Sequence, residues 1–296
     1  MRGDGMKKGK FSVLFLLLFI VLILYSAILI LLFGWGIITA MRENLGFISD
    51  PFGFEGGLHI ENFRTAFLYF SSTIKGSDGG YREVYIEEMF LYSIIYSLGC
   101  SFINTFVTCV VAYVTTKFRF RACRFIQTMV IVLMALPIVG NLPAEISMAS
   151  TLGIYGTMWG MFIMRAAFLG PYFLIFSAVY SGVPADFTEA GYIDGANEFV
   201  IFFNLMLPMV KDTFMTIMLL SFIAYWNDYS VPLIYLPDYP PLALGLYNFS
   251  HSSNNEISTV PMKMAGCCLV SLPIIVVFIV FQNKLMGNIS MGGLKE

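Results

Sequence analysis

Acidic side chains are scarce in this chain, yet Asp186, Glu189, Asp194 and Glu198 fall inside one short stretch from Val183 to Pro208. That stretch lies between two long apolar segments, and carboxylates held in hydrocarbon would be costly, so it belongs outside a bilayer. Its residue types describe two short helices meeting at a glycine. Pro184 suits a first helical position, where a missing N–H costs nothing, and Asp186 and Glu189 then sit near the positive end of the helix dipole. Gly195 can take the left-handed conformation that closes this helix. A second helix through Phe199, Phe202, Phe203 and Met206 has apolar residues at helical spacing, and Pro208 punctuates it. An amphipathic helical hairpin between two apolar segments has the form of a docking element.

A second set of residues could meet a polar solute within the apolar segments. Tyr225, Trp226, Asn227 and Asp228 put flat aromatic faces beside amide and carboxylate acceptors, which suits the ring faces and hydroxyls of a sugar. An interfacial aromatic belt would use the same residue types. Arg165 falls about one-third of the way into an apolar run and needs a partner, of which Glu145 is the nearest candidate by depth. A structural ion pair is favoured over direct substrate contact, with outward snorkelling as the plain alternative. Pro137, Gly140, Asn141, Pro143 and Glu145 together suggest a broken helix end lining a pathway, unless Glu145 has already reached the interface.

Other chemistries find no support. His59 and His251 are isolated, so neither metal binding nor general-base catalysis has the spacing it needs. Cys100, Cys109, Cys123, Cys267 and Cys268 show no metal-ligand spacing and read as buried thiols. No G-x-x-x-x-G-K-[ST] run occurs, so the chain lacks the loop that cradles nucleotide phosphates. No basic patch with interleaved aromatics is present, which argues against nucleic acid.

The elements that must position these residues are membrane helices. A strongly positive mean hydropathy with only 12% charged residues places the chain among polytopic membrane proteins. Basic residues within Met1–Lys10 precede an apolar run from Phe11 to about Phe33, too long for a signal peptide core and read as a retained first span. A second span from Phe90 to about Thr116 ends at Lys117, Arg119, Arg121 and Arg124, which fixes that end in the cytoplasm. Further spans follow over about 125–146, 156–180, 209–235 and 262–281, giving six transmembrane helices with both termini cytoplasmic. The polar stretch 42–89 then lies outside as either an ordered excursion or a solvated connector.

Glu189-Ala190 followed by Gly195 and Leu207-Pro208 resembles the cytoplasmic EAA loop of the membrane subunits of bacterial ABC importers. Tyr192-Ile193-Asp194-Gly195-Ala196 is similar to the form found in carbohydrate permeases of the maltose MalG type. Trp226-Asn227-Asp228 with Pro232-Leu233, and the terminal Gly292-Gly293-Leu294-Lys295, add to the likeness, which runs from about Phe90 to the C-terminus. Gly191 stands where the family has a second alanine, a change expected to loosen the first helix by about 1 kcal/mol.

The resemblance implies an all-α membrane protein of the type I ABC importer permease fold. It divides the chain into an N-terminus and first helix (1–41), an outer loop (42–89), a permease core (90–286) holding the coupling loop at 183–208, and a cytoplasmic tail (287–296). The subunit would be non-catalytic and bind no cofactor, with ATP and Mg held by two partner ATPase subunits. A second permease subunit forming a heterodimer, an extracellular solute-binding protein and membrane lipid complete the implied partners, in the bacterial inner membrane. Asp186, Glu189, Ala190, Gly191, Asp194, Gly195, Leu207 and Pro208 would couple to the ATPase. Asn141, Glu145, Arg165, Tyr225, Trp226, Asn227 and Asp228 would border the path of a sugar or oligosaccharide. The same architecture could serve a phosphorylated polyol or a peptide, and an ion-coupled secondary transporter or an intramembrane enzyme are more distant alternatives.

Overall fold

The computed structural model describes residues 13–53, 57–75, 79–118, 120–136 and 140–291, with side chains as far as 282. The basic residues before position 11, Arg119, Pro137 and the Gly292–Lys295 tail motif lie outside the described residues. The chain forms two compact units, one from Met1–Tyr69 with Ser252–Leu269 and the other from Phe70–His251 with Val270–Glu296.

In the first unit, helix α1 (Val13–Ala40) is apolar on every side and exposes its large side chains along its length as far as Phe33. A helix with no polar face has no aqueous orientation, and its length of about 42 Å at 1.5 Å per residue exceeds a hydrocarbon core. Two residues beyond it, the buried Arg42 guanidinium donates to the carbonyls of Gly46 (3.0 Å), Asp50 (2.7 Å) and Pro51 (3.1 Å). These bonds clasp the C-terminal side of the short helix α2 (Asn44–Ser49), adding to the Asp50 amide that already donates to the Gly46 carbonyl. Asn62, on α3 (Glu61–Tyr69), donates to Ala40 and Arg42 carbonyls at 2.9 Å each. The start of the 42–89 stretch is therefore ordered by backbone-directed hydrogen bonds.

The second unit opens with an antiparallel hairpin, β1 (Ser71–Lys75) and β2 (Tyr81–Tyr85), with Ser71 opposite Tyr85. It runs directly into α4 (Ile86–Lys117), the central element of this unit. Ser93, Ser97, Ser101, Thr105 and Thr108 form a buried stripe of small side chains at helical spacing along α4, which lets neighbouring backbones approach closely. The remaining helices are α5 (Arg121–Ala135), α6 (Leu142–Thr151), α7 (Met158–Met164), α8 (Pro171–Gly182), α9 (Asp186–Ile193), α10 (Glu198–Ile201), α11 (Leu207–Met209), α12 (Lys211–Trp226), α13 (Ser230–Tyr235), α14 (Leu242–Ser250) and α15 (Val260–Met291). Helices α8 and α12 make the most extensive packing against α4, and α5, α7 and α14 also touch it.

Among the described residues, three helices are long and apolar enough to cross a membrane, Val13–Ala40, Ile86–Lys117 and Val260–Gln282. A fourth crossing arises if Glu198–Met209 and Lys211–Trp226, bent by 76°, count as one. The expected third and fourth spans are not continuous helices. The third divides between α5 and α6, where Gly140 has φ 87° and Pro143 stands in the first turn of a new helix. The fourth divides between α7 and α8, whose first residue is Pro171. At the C-terminal end, α15 continues to Met291, so the segment expected as a tail from position 287 begins as helix.

Candidate functional site

The Val183–Pro208 stretch folds as a helical hairpin. Helix α9 begins at Asp186 rather than at Pro184; Ala185 is its cap residue, and its carbonyl accepts from the Thr188 and Glu189 amides. Asp186 and Glu189 lie in the first turn, as dipole complementarity requires. Gly195 has φ 78° and closes the helix: its amide donates to the Tyr192 carbonyl and the Ala196 amide to that of Gly191, both at 3.0 Å. This is the paired bonding of a glycine-terminated helix. The second arm starts where the Asn197 side chain caps the Val200 amide at 2.9 Å. The sequence signal for this cap is an asparagine placed just ahead of an apolar run.

The second arm is not regular. Phe202–Met206 forms a π turn, and the Leu207 amide reaches back to the Phe202 carbonyl. Pro208 does not end the arm but sits in its last turn; the break comes at Val210, with φ −101° and ψ 10°. Ile201, Phe202, Met206 and Val210 are buried against Tyr113 of α4 and Phe173, Phe176 and Tyr180 of α8. The arm is thus seated in the core, while α9 leans on it through Gly191. A side chain at Gly191 would meet Ile201 Cγ1 at 3.1 Å and Leu205 Cδ1 at 3.2 Å. Gly191 therefore also permits close approach of the two arms, beside the expected loosening of α9.

Two polar contacts tie the hairpin further. Lys117, at the end of α4, donates through Nζ to the Val183 carbonyl at 2.6 Å. The Tyr192 hydroxyl donates to Glu198 Oε1 at 2.5 Å, and that carboxylate, with a smaller effect of burial, holds the phenol up at about 12. The outward side keeps Asp186, Glu189, Ala190, Asp194 and Gly195 exposed, together with Ile193 (86% exposed) and Phe199 (76%). Leu207 is half-buried and Pro208 exposed. Exposed large apolar residues beside carboxylates, on an element whose other side is anchored, describe a contact surface.

The residues expected along a substrate path separate into three environments. Asp228 is fully engaged: Oδ2 accepts from the buried Tyr96 hydroxyl of α4 at 3.1 Å, and Oδ1 accepts from Ser230 Oγ (3.0 Å) and the Val231 amide (3.1 Å). Beside it, the Arg165 guanidinium lies 5.9 Å from the centre of the Tyr225 ring, which packs edge-on to Tyr96. Arg165 and Glu145 form no ion pair among the described residues. Instead Glu145 accepts from Tyr235 Oη at 2.9 Å and from Asn141 Nδ2. The expected pair fails because Arg165 caps the end of α7 and finds an aromatic face, while Glu145 sits in the first turn of α6 near its own hydrogen-bond donors.

Trp226 points elsewhere. It is buried against Phe90 and Phe222 and lines an apolar cleft of about 660 Å³ between α4, α12 and α15. Asn227 is exposed, with its amide turned back to the Ile223 carbonyl. The structure adds Tyr96, Tyr235 and Asn104, whose amide donates to the Arg165 and Ala167 carbonyls and secures the turn between α7 and α8. No spacing rule marks these three, because their partners lie far away in sequence. Among the described residues the five cysteines form no disulfide, and no cluster of three or more His, Cys, Asp or Glu occurs.

Known proteins resemble this chain in sequence and in fold. Residues 104–286 match the family described as binding-protein-dependent transport system inner membrane component. The chain is 24% identical over 274 residues to the diacetylchitobiose uptake system permease protein NgcG of Streptomyces coelicolor, covering 92% of this chain and 86% of that protein. It is 24% identical over 211 residues to the arabinooligosaccharides transport system permease protein AraQ of Bacillus subtilis, covering 70% and 73%. In fold it is similar, with a TM-score of 0.72 and 18% identity, to a crystal structure of a bacterial ABC transporter involved in import of the acidic polysaccharide alginate. That match covers 95% of this chain and 99% of the other.

Proposed function

The chain belongs to the family of inner membrane components of binding-protein-dependent transport systems, and from this we propose that it is a permease subunit through which a sugar or oligosaccharide enters the cell. The sugar assignment is supported by relatives named as carbohydrate permeases across most of the chain's length. As a membrane transport component it contributes a path and a moving part. ATP binding and hydrolysis fall to two separate ATPase subunits, and a second permease and a solute-binding protein complete the assembly.

The observation that carries the mechanism is the two-sided hairpin at Asp186–Met209. Ile201, Phe202 and Met206 are buried among the membrane helices, while Glu189, Ile193 and Phe199 face outward. Such an element transmits displacement: its outer side docks in a groove on the ATPase, and its inner side carries the motion to α4 and α8. Lys117, Arg121 and Arg124 around the adjoining helix ends favour a cytoplasmic position for this side, with both termini there as well. ATP then favours the outward-open arrangement because it binds the closed motor better, and the hairpin communicates that preference. At the opposite end, Asn141, Glu145, Arg165, Tyr225 and Asp228 surround the entry of the solute.

Gentle detergent purification from the native membrane, followed by mass spectrometry, tests this. An ATPase subunit and a second permease are expected to accompany the chain and to be lost when Glu189 and Gly195 are replaced together. A chain that emerges without any ATPase at low and high salt would show that the hairpin is not a motor socket.

A further inference from the structure

Tyr229 directly follows Asp228, and its ring stacks on that of Tyr247 from α14, with centres 4.9 Å apart and planes 11° from parallel. Tyr247 is shared with a further ring, His251, at 4.4 Å and 35°. The three rings form a short ladder whose members come from the turn after α12 and from the end of α14. Their orientation is fixed from several sides. The His251 backbone amide donates to the Tyr247 and Asn248 carbonyls, and its ring Nδ1 lies 2.8 Å from the Tyr247 carbonyl. A carbonyl can only accept, so in the neutral ring Nδ1 carries the proton and Nε2 is left as an acceptor.

The ladder is rigid but incompletely satisfied. Tyr229 is 43% exposed and His251 is exposed, and neither the two phenolic hydroxyls nor His251 Nε2 has a hydrogen-bond partner among the described residues. We propose that Tyr229, Tyr247 and His251 form a stacking platform for a neutral sugar ring, beside the Asp228 and Tyr225 group. This inference rests on the sugar-import reading above and deepens it.

The chemistry selects a carbohydrate. A pyranose presents a face of C–H groups that lies flat on an aromatic ring, while its edge offers hydroxyls that both donate and accept. The exposed outer rings, Tyr229 and His251, with two phenolic hydroxyls and one imidazole acceptor at the ladder's edges, match both features. Because the rings already hold one another in place, little side-chain freedom is lost when a sugar arrives. The Asp228 carboxylate beside Tyr229 disfavours an anionic ligand there. Tyrosines serving only as an interfacial belt would need no mutual stacking.

The test uses the assembled importer with its binding protein in proteoliposomes, and measures uptake of labelled diacetylchitobiose, raffinose and maltotriose at saturating binding protein. Tyr229→Ala and Tyr247→Ala are expected to lower the maximal uptake rate of the imported sugar roughly threefold to tenfold, the scale of one lost aromatic contact. Tyr229→Phe should retain most of the rate. The exposed Tyr229 variant keeps the test available if Tyr247→Ala fails to assemble. Unchanged uptake in both alanine variants overturns the platform while leaving the importer reading intact. A rise in the binding-protein concentration needed for half-maximal rate, with the maximal rate unchanged, would make the ladder a protein contact and also overturn it. A wild-type assembly that imports none of the three sugars counts against the sugar reading itself, and the platform falls with it.

Discussion

Gly195 and Gly191 constrain the hairpin in opposite ways. A side chain at Gly195 would meet nothing within 4 Å, so its demand is for backbone shape alone, at φ 78°. Gly195→Ala should therefore cost about 1 kcal/mol of local stability, and the β-branched Gly195→Val more. The measurable consequence is loss of ATPase from the purified complex while membrane insertion persists; a Val variant that co-purifies and transports normally would remove Gly195 as the hinge. Gly191 has ordinary torsion and no room. Gly191→Ala is expected to be nearly neutral, because the neighbouring Ile201 and Leu205 tips can yield and alanine regains about 1 kcal/mol of helix propensity, whereas Gly191→Leu should separate the arms and release the ATPase. At the other end, Asp228→Ala leaves the buried Tyr96 hydroxyl without an acceptor. A destabilisation of about 1–3 kcal/mol is expected, with much less added by Tyr96→Phe in the same chain. Thermal unfolding of the two single variants and the double variant reads this directly, and simple additivity would show that the bond does not matter.

Elements were legible in the sequence where local chemistry makes them. The hairpin could be read because its signals sit within a few residues of what they control: carboxylates in the first turn of α9, a glycine at its end and apolar spacing after it. The π turn could not be read, since Phe202 to Met206 has the same apolar pattern as an α-helix and only the bond from the Leu207 amide to the Phe202 carbonyl distinguishes it. The break between α5 and α6 is signalled by Gly140 and Pro143, whereas that between α7 and α8 is hidden by uninterrupted hydropathy, although Pro171 stands at it. Trp226 was grouped with Tyr225 and Asp228 by sequence adjacency. Neighbouring helical residues point about 100° apart, and Trp226 accordingly enters the apolar cleft instead. The Tyr192–Glu198 bond between the arms gives the hairpin a pH dependence. Its phenol is raised to about 12 in the folded hairpin, so the contribution is complete below the ordinary tyrosine value near 10 and is lost as pH rises through about 12. Amide exchange across 186–206 should quicken over that window in the native chain and show no such step in Tyr192→Phe.

At the scale of the whole molecule, the decisive question is the source of energy. An ion-coupled carrier needs a titratable or cation-coordinating group at mid-depth that alternates between the two sides. The two acidic residues expected along the path are already committed: Glu145 to Asn141 and Tyr235, and Asp228 to Tyr96, Ser230 and the Val231 amide. Releasing either carboxylate in every cycle would break two or three hydrogen bonds. The hairpin, by contrast, offers an exposed outer side and a core-seated inner side, which is what an external motor requires. Proteoliposomes holding the complete assembly should therefore take up sugar only with ATP inside and binding protein outside, and uptake should survive collapse of proton and sodium gradients by ionophores. Ile193→Asp or Phe199→Asp should abolish that uptake by costing at least about 2 kcal/mol of motor affinity, the scale of a buried apolar anchor at an interface. Uptake that stopped with the ionophore and continued without ATP would assign the driving force to the helices themselves, and the exposure of Ile193 and Phe199 would need a different partner.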